Sequence, residues 1–149
     1  MDVRKLLIPA AAAVLLAGGC MKRVETDYAA PDLGITLTVK DVTAAGLTVV
    51  CDQAGGEVTG ELLTGSWYRV ESLESGAWTP LEYVPEGDVA WDSVAYPVMT
   101  DGRTEWPVDW EWLYGGLMPG EYRICKEFMD LREPGDFDRT LAFAEFTIE

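Results

Sequence analysis

The sequence contains no histidine. Imidazole is the usual general base of nucleophilic triads and a common zinc ligand, so its absence excludes the usual triads and histidine-based metal sites. The sequence also has no glycine-rich phosphate loop and no paired-cysteine metal spacing. Its many carboxylates include no two that the spacing marks as a glycosidase pair. We therefore predict a protein that is not an enzyme and that has no cofactor and no metal site.

Basic residues are scarce as well. Only 11 lysines and arginines stand against 26 aspartates and glutamates, which gives a formal net charge of −15 at pH 7. A surface this acidic repels phosphate backbones and anionic lipid head groups. Nucleic acids are therefore excluded as partners, and any membrane attachment has to come from something other than charge. Acidity also keeps an exported protein soluble, an explanation that needs no cationic partner.

The one long apolar run lies at the N-terminus, in "MDVRKLLIPAAAAVLLAGGC". Basic residues, an apolar run too short to span a bilayer and a small-residue end are typical of a secretory signal. The end of this stretch resembles the lipobox of bacterial lipoproteins, in which the cysteine receives diacylglycerol and becomes the first residue of the mature chain. The resemblance implies a signal peptide at 1–19, a lipid on Cys20 and export to the extracytoplasmic face of the membrane. The alternative is an ordinary cleaved signal in which Cys20 is incidental.

Beyond the cysteine the chain divides into a short tether and one domain. Residues 20–32 show no sustained hydrophobic period and are typical of a linker. From residue 33 to 149 the apolar residues recur every second position, as in "ITLTVKDV" and "GLTVVCD", and a hairpin is predicted in "SWYRVESLESGAWTPLEYV". Four further segments follow the same pattern, "SVAYPVM", "RTEWPVDW", "GEYRICKEF" and "LAFAEFTIE". About seven short strands bounded by turns predict an all-β, antiparallel β-sandwich.

Several of these segments together resemble a known family. They are "AAGLTVVCDQ", "WYRVESLESGAWTPL", "EWPVDWEWLYGGLMPGEYRICKEF" and "AEFTI". The chain from 33 to 149 is similar to the bacterial immunoglobulin-like domains of small cell-surface lipoproteins. The resemblance implies an immunoglobulin-like sandwich at the cell surface without catalytic residues. We expect a monomer that serves as a protein-interaction or structural module, with an envelope or extracellular protein or a glycan as its partner.

Three tryptophans crowd the stretch "EWPVDWEWLYGG". Trp106 and Trp110 are four residues apart, so on a strand they share one face, and large aromatics on that face belong to the core of a small sandwich. In a helical turn after Trp110, Tyr114 falls on the same side as Trp110, whereas Glu111 and Trp112 fall elsewhere. Only Trp112 is left as an exposed aromatic.

That exposed position supports an alternative function, a carbohydrate-binding module. Sugar sites combine an exposed aromatic ring with polar groups that bind hydroxyls. Trp112 and Glu111, joined by Tyr114, are the residues that could form such a site. Packing is the stronger interpretation, because only large exposed apolar patches indicate binding.

Three other residues have predicted structural roles. Tyr122 is placed to form the aromatic corner of immunoglobulin-like sandwiches, in which a tyrosine hydroxyl anchors a crossing loop. Cys51 and Cys125 fall in the predicted second and sixth strands, and export would permit a disulfide between them. The alternation of side chains along the two strands argues against this disulfide. Cys51 shares a face with core residues, whereas Cys125 lies on the face of its strand that is opposite to that of Tyr122. We expect two thiols, and a disulfide is the alternative.

Overall fold

The computed structural model describes residues 30–149, in which two antiparallel sheets enclose one apolar core. The first sheet contains three strands in the order β1-β2-β6 and the second contains β4-β3-β7-β8, with β5 paired to β3. The elements are β1 (Ile35–Thr43), β2 (Gly46–Gln53), β3 (Glu61–Glu74), β4 (Ala77–Pro80), β5 (Tyr96–Pro97), β6 (Gly102–Asp109), α1 (Glu111–Tyr114), β7 (Gly120–Glu133) and β8 (Asp136–Ile148). The predicted signal peptide, Cys20 and all but the end of the tether lie outside the described residues.

The prediction of an all-β immunoglobulin-like sandwich is confirmed, but two strands are shorter than the sequence pattern indicates. The segment "SVAYPVM" contributes only the two residues of β5, and the return strand of the hairpin ends at Pro80 rather than at Tyr83. The chain leaves the sheet there to reach α1, where the Val84 N–H donates to the Leu113 carbonyl at 2.8 Å. None of the helical segments within residues 30–149 is long and apolar enough to cross a bilayer.

The core lies between the two sheets and follows the alternation of the strands. Val49 of β2, Val70 of β3 and Ile124 of β7 are fully buried, and polar residues alternate with such positions on the outer strands. These residues are buried because each sheet has one apolar face, and packing the two apolar faces together removes both from water. Residues 110–119 connect β6 of one sheet to β7 of the other, and we call them the crossing segment. The turn between β1 and β2 holds this segment in place, since the Ala44 carbonyl accepts hydrogen bonds from the Leu117 N–H and from the Trp110 indole.

A wide bulge interrupts β3. Thr64 pairs with Phe128 and Tyr68 with Lys126, so the three residues 65–67 stand opposite one residue of β7. A bulge takes backbone groups out of the ladder, and those groups need other partners. The Lys126 ammonium supplies them, because its Nζ donates to the carbonyl oxygens of Gly65 at 2.9 Å and Trp67 at 3.2 Å.

Candidate functional site

The structure separates the three tryptophans as their spacing predicts. Trp110 is 0% exposed, donates its Nε1–H to the Ala44 carbonyl at 2.8 Å and stacks on Phe146, with ring centroids 5.6 Å apart. Trp106 is half-buried and packs against the core. Trp112 is 51% exposed. Of the three, only Trp112 presents most of its ring to solvent.

The surface around Trp112 contains a second tryptophan from the loop before β5. The Trp91 ring meets Trp112 edge-on, with centroids 5.8 Å apart and planes at 67°, and it meets Tyr68 in the same way on its other side. The exposed Glu111 is adjacent along the chain. Because the rings stand on edge, they do not form a flat platform. We call Trp91, Glu111 and Trp112 the Trp112 surface.

Tyr114, the third residue of the predicted sugar site, is buried, unlike Glu111 and Trp112. Tyr114 is 8% exposed, and its hydroxyl accepts a hydrogen bond from the Val70 N–H at 3.2 Å. Burial raises the pKa of this hydroxyl to about 12, so it stays neutral at any physiological pH. Its ring lies against Tyr83, which is the more exposed of the two. Tyr114 therefore holds the crossing segment on β3 and is not available to a ligand.

Tyr122 anchors the loop before β7. Its hydroxyl donates to the Met118 carbonyl at 2.6 Å, four residues upstream, and its ring stacks on Phe146. Burial raises the pKa of the hydroxyl, which therefore remains a donor. This is the geometry of the aromatic corner that the sequence predicts for Tyr122.

Cys51 and Cys125 are free thiols, so the disulfide considered as an alternative is absent from this structure. Cys51 belongs to the core between the sheets. Cys125 lies in the other sheet, in register with Arg69 and Phe143, and alternates with the core residue Ile124. The two side chains thus start on different faces, and a bridge would require one strand to shift its register.

The two buried thiols should lower the free energy of unfolding of the domain at alkaline pH. Burial raises the pKa of both thiols from 9.0 to about 11, so the folded state favours the protonated form. Such a contribution is complete below pH 9 and is lost as the pH rises toward 11. We expect each thiol to contribute a loss of about 1 kcal/mol between pH 8 and pH 10, measured by urea unfolding as the difference from a variant that lacks the thiol.

The comparison for this prediction is Cys51→Ala, which keeps Cys125, whose charge also acts on the pKa of Lys126. Its stability should decline less between the two pH values than that of the unchanged protein. Lys126 acts in the opposite direction, because burial lowers its pKa to about 8 and the folded state then gains stability as the pH rises. That term is common to both proteins and cancels in the comparison. An equal decline in both would contradict the assignment to the Cys51 thiol.

The outer side of the five-stranded sheet presents a group of arginines and aromatic rings that sequence reasoning missed. Its centre is Glu71, which is 3% exposed and accepts hydrogen bonds from Arg69 Nε and Arg123 Nε, both at 2.7 Å. The Arg123 guanidinium lies over two rings, 4.8 Å from the Trp78 centroid and 4.2 Å from that of Phe143. Both arginines are therefore held in place by a buried carboxylate and, for Arg123, by stacking.

The first part of strand β8 extends this surface. Phe137, Leu141 and Phe143 are all exposed, and Arg139 lies over the Phe137 ring at 4.9 Å. We call the whole surface the arginine–aromatic face, and its members are Arg69, Glu71, Trp78, Arg123, Phe137, Arg139, Leu141 and Phe143. One signal was present in the sequence, because "LAFAEF" in β8 has apolar residues of both parities and thus two apolar faces.

A cavity of about 290 Å³ lies between the sheets at the bulge of β3. Strands β3, β5, β6 and β7 all contribute to its wall, through Gly65, Ser66, Tyr68, Tyr96, Trp106, Pro107, Val108, Asp109 and Lys126. The Lys126 ammonium is 5.7 Å from the Trp106 ring centroid. Burial is also what lowers the pKa of this lysine to about 8. No local sequence pattern indicates this cavity, because the cavity exists only once the bulge has formed.

The comparisons with known proteins agree with the fold. The family model described as "Bacterial Ig-like domain" matches residues 28–147, which is most of the chain. No curated protein and no solved structure matches this chain. The match covers both sheets, the crossing segment and the Tyr122 corner. The chain therefore belongs to the bacterial Ig-like domain family.

Proposed function

We propose that the protein is exported, is held on the extracytoplasmic face of the membrane by a lipid on Cys20, and uses its Ig-like domain to bind a protein of the envelope or the surroundings. Residues 1–19 serve as the signal peptide, residues 20–32 as the lipidated cysteine and tether, and residues 33–149 as the binding domain. Support comes from the signal and lipobox pattern and from the family, whose members are typically non-catalytic and extracellular.

The observation that most favours protein binding is the arginine–aromatic face. Arginine and aromatic residues dominate the energetics of protein interfaces, while charged residues of other kinds are depleted there. Glu71 fixes Arg69 and Arg123 before any partner arrives, so less side-chain entropy is lost on binding.

Pull-down from intact cells after cross-linking tests this assignment. The variant Arg123→Ala, Phe143→Ala removes the centre of the face and should reduce recovery of the partner about tenfold or more. Arg103→Ala is the matched control, because it also removes one arginine but lies on the three-stranded sheet, where Arg103 pairs with Asp52 at the surface. Equal recovery with both variants would reject the face as the binding surface.

Cys20→Ala tests the lipid anchor. A diacylglycerol group supplies two hydrocarbon chains, enough for stable attachment, and the acidic domain adds no attraction of its own to anionic lipids. The unchanged protein should therefore fractionate with membranes and the variant should be found in the soluble exported fraction. Cys51→Ala is the control, since it removes a buried thiol of the domain and should leave fractionation unchanged. Membrane partitioning of the Cys20→Ala variant equal to that of the unchanged protein would refute the anchor.

A second candidate function, carbohydrate binding, is favoured by the exposure of Trp112 beside Trp91 and Glu111. If the Trp112 surface binds a glycan, Trp112→Ala should abolish retention on purified envelope polysaccharide while leaving the fold intact. Quenching of tryptophan fluorescence by a soluble quencher should decrease when the glycan is added. Retention that is the same for Trp112→Ala and the unchanged protein would exclude this surface as a sugar site.

A further inference from the structure

The inter-sheet cavity contains a buried cation without an anionic partner. Lys126 is 3% exposed, and no carboxylate within residues 30–149 forms an ion pair with it. Its ammonium has three N–H donors, of which two bind the carbonyl oxygens of Gly65 and Trp67. Buried charges in proteins are normally paired, because removing a charge from water is costly. The cavity thus contains a buried ammonium group that has no ion-pair partner within residues 30–149.

A second polar group in the same cavity is also unsatisfied. Ser66 lies on the bulge between the two residues whose carbonyls bind Lys126, and it contributes to the cavity wall. Its Oγ is the one buried side-chain nitrogen or oxygen atom in the described part of the chain that has no hydrogen-bond partner. A buried hydroxyl without a partner destabilises a fold, because its contact with water is lost and not replaced. Such a group in a native structure requires an explanation, and an absent ligand is one.

The remaining wall is aromatic. Trp106, Tyr96 and Tyr68 contribute rings to the cavity, and the Tyr68 hydroxyl is already used in a hydrogen bond to the Asp109 carbonyl at 3.2 Å. Asp109 is the one acidic residue of the wall, and its Oδ1 accepts a hydrogen bond from the Glu111 N–H at 3.0 Å. Tyr96, Pro107 and Asp109 are exposed and lie at the rim. The cavity wall therefore includes two residues with buried donors, Lys126 and Ser66, and aromatic rings near an opening to solvent.

We propose that this cavity is a binding site for a small aromatic carboxylic acid, whose carboxylate accepts hydrogen bonds from the Lys126 ammonium and the Ser66 hydroxyl. The ring of the ligand packs against Trp106 and Tyr96. Ligand sites in proteins have this composition, mostly apolar walls with a few polar groups that fix orientation. The volume of about 290 Å³ suits one substituted ring and not a polymer. The site is separate from the arginine–aromatic face, which lies on the other side of the same sheet.

Calorimetric titration of the purified full-length protein with benzoate, and with benzyl alcohol as the neutral ligand of similar shape, tests the proposal. Benzoate should bind saturably and about tenfold or more tighter than benzyl alcohol, since only benzoate neutralises Lys126. Lys126→Met should remove that preference. Lys40→Met is the matched control, because it removes the same charge from an exposed position of β1 and should leave the Kd unchanged.

Ser66→Ala keeps the test decisive if Lys126→Met fails to fold. Removing an unpaired buried hydroxyl should raise the Tm of the ligand-free protein, whereas the loss of one hydrogen bond should weaken benzoate binding about fivefold. Stabilisation together with weaker binding is the signature of a group retained for a ligand. Equal affinity of benzoate and benzyl alcohol, or an unchanged benzoate Kd in Ser66→Ala, would overturn the proposal.

Discussion

Replacing Trp110 with alanine is expected to destabilise the domain by about 3–5 kcal/mol, a large share of the total stability of a domain of this size. The side chain is fully buried, so the substitution leaves a cavity that the surrounding strands cannot fill. It also removes the stacking on Phe146 and leaves the Ala44 carbonyl with one donor fewer. Urea unfolding followed by circular dichroism measures the change.

Trp112→Ala is the matched control for this prediction. It deletes the same side chain two residues away, but Trp112 is 51% exposed and its main ring contact is the edge of Trp91. We expect a cost of about 1 kcal/mol or less. If the two substitutions destabilise the domain equally, the division of the tryptophans between core and surface is wrong.

Glu71→Ala is expected to cost about 3 kcal/mol. The substitution removes the buried carboxylate that pairs with both Arg69 and Arg123, so the two guanidinium groups on neighbouring strands lose their shared counter-charge. The cost lies at the lower end for a broken buried pair, because both arginine side chains retain partial access to water. The same unfolding measurement applies, together with the salt dependence of the loss.

The control is Glu127→Ala, which removes the same charge from the outer side of the same sheet. The Glu127 side chain is 40% exposed, and its ion pair with Arg139 is loose, at 3.8 Å. Surface pairs of this kind contribute less than about 1 kcal/mol. A Glu71→Ala variant as stable as Glu127→Ala would show that Glu71 does not hold the arginine–aromatic face together.

Local patterns in the sequence were sufficient to predict the fold and the roles of several residues. The period of two fixed the inward faces of β2, β6 and β7, so the burial of Trp110 and the position of Tyr122 followed from parity within one strand. The same reasoning placed Cys51 and Cys125 on different faces. Such predictions need no knowledge of distant residues, because alternation in a strand depends on the strand alone.

The remaining features depend on residues far apart in the chain, and no local pattern contains them. Tyr114 is buried because the Val70 N–H and the Tyr83 ring, both from earlier segments, close over it. Glu71 pairs with Arg123 across 52 positions, and Lys126 binds the Gly65 carbonyl across 61. The cavity further requires a bulge, whose position the alternation of β3 does not indicate.

Photo-cross-linking in intact cells tests the proposal that the domain binds a protein partner through the arginine–aromatic face. A benzophenone amino acid is introduced at Leu141, an exposed member of the face, and in a second strain at Thr36, an exposed residue on the outer side of the three-stranded sheet. We expect a discrete cross-linked species from Leu141 that is absent from Thr36 and is lost when Arg123→Ala is added. Cross-linking of equal strength from both positions, or from Thr36 alone, would contradict the proposal.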